Sequence, residues 1–108
     1  MAAIHLNKEL FNQYINNEEK PILVEFWAPW CVYCKRITPA MKKIADQYEN
    51  ELFVGLLNID EEEKLSDDEK IELIPTLVIY KGGKALGSIV APDSKAKIEA
   101  FIKETLAQ

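Results

Sequence analysis

The chain has 108 residues, 48% hydrophobic and 29% charged, which fits one soluble globular domain over residues 1–108 and excludes disordered and collagen-like classes. The net charge is -5, with the acidic residues gathered in Asp60 to Glu69 and the 13 basic residues scattered, so there is no nucleic-acid footprint. The longest apolar run, LFVGLL at Leu52 to Leu57, is strand-sized and far short of the ~20 residues of a membrane span; with no secretory pattern at the N-terminus, a cytoplasmic home is expected.

In chain order, AIHL reads as a short edge strand, and Asn7 as the cap of a helix whose inner face is Leu10, Phe11, Tyr14 and Ile15. Pro21 opens ILVEFW, apolar on both faces apart from Glu25, the pattern of a central strand covered by helices on each side. A second amphipathic helix follows, with Ile37, Met41, Ile44, Ala45 and Tyr48 on one stripe and Pro39 inside it, where a bend is expected. LFVGLLNI is a further buried strand, and Ser66 with Glu69 reads as a capping box that opens a short helix before Ile71. TLVIY and ALGSIV flank the Gly82-Gly83 turn as an antiparallel hairpin, and Asp93 or Ser94 caps a last helix with Ile98, Phe101, Ile102 and Leu106 inward. The sum is an α/β chain: a central mixed sheet of four or five strands between helices, three layers in all.

Both cysteines stand in WAPWCVYCK, separated by Val32 and Tyr33. A tetrahedral zinc site needs four ligands, and one chain offers only Cys31, Cys34 and His5; a site shared between two copies stays open. A structural staple fits poorly, because stabilisation grows with the size of the closed loop and this one is short. A C-x-x-C beside a βαβ pattern fits redox chemistry best. Cys31 follows a strand end and starts a helix, where free amides and the helix dipole favour a thiolate, and Lys35 and Arg36 add positive charge. Cys31 is therefore the expected attacking thiolate and Cys34, one turn deeper, the resolving thiol.

Glu25 is the candidate base for Cys34: a buried carboxyl without a partner has a raised pKa, which suits proton exchange near neutrality. The alternative is a strand glutamate that reaches solvent. His5 reads as a surface or packing residue. Pro75, at a strand start, would in its cis form leave the Ile74 backbone free to pair with an extended substrate.

The segments PILVEFWAPWCVYCKRITP, NID at Asn58 to Asp60, and IPTLVIYKGGK resemble the thioredoxin family, from about residue 7 to the C-terminus. The resemblance implies the thioredoxin fold with about four helices, a cis Pro75, no bound cofactor or metal beyond the Cys31–Cys34 dithiol, and a substrate groove lined by Trp27, Trp30, Ile74 and Pro75. It implies a monomer that reduces protein disulfides and is recharged by thioredoxin reductase. Three departures stand out. Val32-Tyr33 replaces the usual Gly-Pro, so a potential less reducing than thioredoxin is expected, on the order of -220 to -260 mV. Glu25 stands where Asp is usual, and Leu56 where a partner lysine is common. Ala91-Pro92 replaces a groove glycine, which points to altered partner choice. Two other functions compete: a disulfide isomerase or oxidant, favoured by Glu25 and Tyr33, and a non-catalytic thioredoxin-fold module within a larger assembly.

Overall fold

In the computed structural model, which describes residues 2–107, nine elements alternate along the chain. They are β1 (Ile4–His5), α1 (Lys8–Ile15), β2 (Ile22–Trp27), α2 (Val32–Gln47), β3 (Phe53–Asn58), α3 (Glu63–Asp68), β4 (Thr76–Lys81), β5 (Lys84–Val90) and α4 (Lys95–Leu106). The strands form one sheet in the order β1-β3-β2-β4-β5; β1, β3 and β2 are parallel, and β4 and β5 antiparallel to their neighbours.

β2 lies at the centre, and its alternating side chains feed two cores. Ile22, Val24 and Phe26 pack with Phe11 and Ile15 of α1 and Leu65 of α3. Leu23, on the opposite face, packs with Met41 and Ile44 of α2 and Ile98 and Ile102 of α4. A strand that is buried on both faces has no polar-out positions, which is why ILVEFW shows no alternation. The Tyr48 hydroxyl donates to the Glu99 carboxylate at 3.0 Å and joins the end of α2 to α4.

Side chains fix the helix starts. Asn7 Oδ1 accepts from the Leu10 amide at 2.9 Å, and Ser94, rather than Asp93, accepts from the Lys97 amide at 3.1 Å. Each such cap satisfies an amide that has no partner within the helix. The expected capping box at Ser66 and Glu69 does not form. α3 begins four residues earlier than that box would set it, at Glu63, without a side-chain cap, and Ser66 is a buried interior residue whose hydroxyl donates to the Glu62 carbonyl at 2.9 Å. A serine already inside the helix commonly bonds back to the preceding turn in this way, and it cannot cap a helix start because the amides after it already have partners within the helix. Glu69 instead accepts from the Tyr80 hydroxyl at 2.7 Å, which ties the end of α3 to β4.

α2 continues through Pro39 without a break. At the β4–β5 turn, Gly82 and Gly83 both have positive φ, 59° and 82°, and their amides donate to Asn17 and Ile15 carbonyls at the end of α1. A Cβ on Gly83 would meet Asn16 Oδ1 at 2.7 Å, so both the turn and its docking on α1 call for glycine.

Candidate active site

The chain leaves β2 at Trp27 and enters α2 at Val32, and the intervening turn places Cys31 at the N-cap of the helix. Its amide donates to the Ala28 carbonyl at 3.1 Å, and its sulfur accepts from the Cys34 amide at 3.1 Å. Cys31 and Cys34 form a disulfide, with Cα atoms 5.3 Å apart. Cys31 is 9% exposed and Cys34 not at all. The outer sulfur therefore sits at the solvent edge, among helix-start amides that favour negative charge once the bond is reduced.

Glu25 faces the α2 and α4 side of the sheet, between Leu23 and Trp27 along β2 and level with Leu56 on β3 and Leu77 on β4. It is fully buried, and neither carboxyl oxygen has a hydrogen-bond partner among the described residues. Burial among these apolar neighbours pushes its pKa up from 4.5 to about 8. Leu56, opposite it in register, supplies no counter-charge.

The groove residues divide into two groups. Trp27 is half-buried, with its indole N–H buried and unpaired among the described residues. Trp30 stands out into solvent and donates its indole N–H to Asp60 Oδ2 at 3.0 Å. Ile74–Pro75 is a cis peptide, and half-buried Ile74, with Tyr33, packs against the cluster of Ala28, Cys31 and Cys34. The Ala91 amide donates to the Pro75 carbonyl at 2.8 Å, so the 91–92 segment borders the same groove. The exposed large hydrophobic side chains among the described residues are Trp30 and Val32, which flank Cys31, Leu73, next to Ile74, and Val90, paired with Thr76 beside Pro75. Apolar exposure concentrated in this way marks a binding surface.

Sequence reasoning missed two contacts. The Trp30–Asp60 bond joins positions 30 residues apart and carries no periodic signal. The Tyr33 hydroxyl donates to the Pro92 carbonyl at 3.0 Å, with the Ala91 carbonyl at 3.5 Å, and so links the residue between the cysteines to the far side of the groove. His5 is exposed and lies beside a shallow surface groove lined by Trp27, Lys35, Lys42 and Leu56. No group of three His, Cys, Asp or Glu side chains able to hold a metal occurs among the described residues, and no helix among them is long and apolar enough to cross a membrane.

A nearly buried sulfur at a helix start, bonded to a second one beneath it, can exchange two electrons with another disulfide through a mixed-disulfide step. In this fold, that chemistry makes the protein a thiol–disulfide oxidoreductase with the cysteine pair itself as redox centre. Residues 2–104 match the family model described as Thioredoxin. The chain is 38% identical over 105 residues to a thioredoxin of Acidithiobacillus ferridurans, covering 97% of each chain. It is 34% identical to thioredoxin 1 of a Nostoc species, over 97% of this chain and 98% of the relative. An M-type chloroplastic thioredoxin of Chlamydomonas reinhardtii is 35% identical over 94% of this chain and 72% of the relative. The chain belongs to the thioredoxin family.

Proposed function

We propose that this thioredoxin-family chain, acting as a single domain over residues 1–108, reduces disulfides in other proteins. The observation that carries the reading is the unequal burial of the two bonded sulfurs, with exposed Trp30 and Val32 on either side of Cys31 in the chain. In the reduced protein, the Cys31 thiolate attacks one sulfur of a substrate disulfide, forming a mixed disulfide and releasing the other substrate sulfur as thiolate. Cys34, having lost its proton, then attacks the Cys31 sulfur. The Cys31–Cys34 disulfide forms, the second substrate thiolate leaves, and two electrons have passed to the substrate. Glu25 takes the Cys34 proton, a role supported by its unpaired carboxyl and by a pKa near 8.

Trp30, Val32, Ile74, Pro75 and Ala91 bind the polypeptide around the target disulfide, and Trp27 and Tyr33 back them. A thioredoxin reductase returns the electrons. The cytoplasm is the setting that keeps such a dithiol reduced between turnovers. One copy holds both thiols, so a monomer suffices.

The test is reduction of insulin with a thioredoxin reductase and its nicotinamide donor. The wild-type chain should turn over and Cys31→Ser should not. Turnover no faster than the uncatalysed background would refute the reading.

A further inference from the structure

Two departures from the family pattern, Tyr33 and Ala91-Pro92, meet in space although they lie 58 and 59 residues apart. Tyr33 is the second residue of α2; its ring packs against the cysteine cluster, and its hydroxyl crosses to the Pro92 carbonyl at 3.0 Å. A phenol has one proton to donate, and the longer 3.5 Å approach to the Ala91 carbonyl makes Pro92 the acceptor. Ala91 has a φ of 47°, in the left-handed region that a side chain adopts rarely and keeps only where its surroundings hold it. The holding contacts come from two sides: the Ala91 amide donates to the Pro75 carbonyl at 2.8 Å, and Tyr33 secures the next residue. The hydroxyl thereby joins the dithiol turn, the Pro75 segment and the 91–92 segment, the three borders of the groove.

We propose that Tyr33 is a positioning residue for polypeptide substrates: its hydroxyl ties down the 91–92 segment, so that the groove is set before an extended chain arrives. The inference rests on the disulfide-reductase reading and deepens it. A pre-set binding surface spares the substrate the cost of ordering it, so the benefit falls on binding of long substrates and not on the sulfur exchange itself. A disulfide too small to reach residues 91 and 92 should depend less on the tie.

Tyr33→Phe keeps the ring and its packing and removes only the donor. The pre-reduced protein would be mixed, in single turnover, with a disulfide-bonded peptide and separately with hydroxyethyl disulfide. For the peptide, the half-saturating concentration should rise roughly two- to tenfold, the range of one lost hydrogen bond, with an unchanged limiting rate. The rate with hydroxyethyl disulfide should change by a smaller factor than the half-saturating peptide concentration, and hydrogen exchange at the Ala91 amide should quicken. Equal effects on both disulfides, or no change in either, would overturn the tie while leaving the reductase reading intact. A wild-type protein that reacts with neither disulfide would overturn that reading and the tie with it.

Discussion

Replacing Glu25 with glutamine removes a titrating group and little else, since glutamine has nearly the same shape and is neutral at every pH. In the folded protein, burial without a partner holds the Glu25 carboxyl at about 8, against 4.5 for an ordinary glutamate. Below pH 4.5 the carboxyl is protonated in both folded and unfolded chains and adds no pH dependence. Between 4.5 and 8 the unfolded chain releases the proton while the folded one keeps it, so native stability falls as pH rises. The slope is about 1.4 kcal/mol per pH unit, and the whole loss about 5 kcal/mol, complete just above pH 8. Urea unfolding of oxidised wild type and Glu25→Gln at several values from pH 4.5 to 9 measures it, because every other group cancels in the difference. The variant's advantage should grow by several kcal/mol across that range and then level off. A difference that stays flat within about 1 kcal/mol would refute the raised pKa.

Three further outcomes follow from the same site. Resolution of the mixed disulfide should show an inflection near pH 8 in wild type that Glu25→Gln lacks; matching pH profiles would remove Glu25 from the proton path. Leu56→Lys places an ammonium group in register with Glu25 and should lower its pKa below 8 by carboxyl NMR titration, whereas an unchanged value would mean that the lysine turns away. Equilibration with glutathione should give a potential on the order of -220 to -260 mV, because Val32-Tyr33 lacks the usual proline constraint; a value more reducing than about -270 mV would contradict this.

Strands and helices with strong local patterns were legible from residue order. β2 announced itself as central because it has no polar face, and Glu25 stood out because nothing else in that strand is ionisable. Asn7 was a readable cap because its side chain acts within three residues. The start of α3 was not readable, since serine, glutamate and aspartate crowd Asp60 to Glu69, and several frames offer a plausible cap; the contact of Glu69 with Tyr80 decides its role from outside the segment. At the site, Cys31, Cys34 and their unequal depth followed from a strand end meeting a helix start. The Trp30–Asp60 and Tyr33–Pro92 bonds did not, because each depends on where the sheet brings distant loops together, and local spacing carries no trace of that.

In the proposed cycle Cys31 attacks and Cys34 resolves. Cys34→Ser removes the resolving sulfur and leaves Cys31 at the N-cap, so reaction with a disulfide-bonded protein should stop at the mixed disulfide. Mass spectrometry should find substrate joined to Cys31 in that variant, nothing joined in Cys31→Ser, and release of the substrate on adding dithiothreitol. Substrate captured through Cys34 in the Cys31→Ser variant, or no capture by Cys34→Ser, would contradict the assignment.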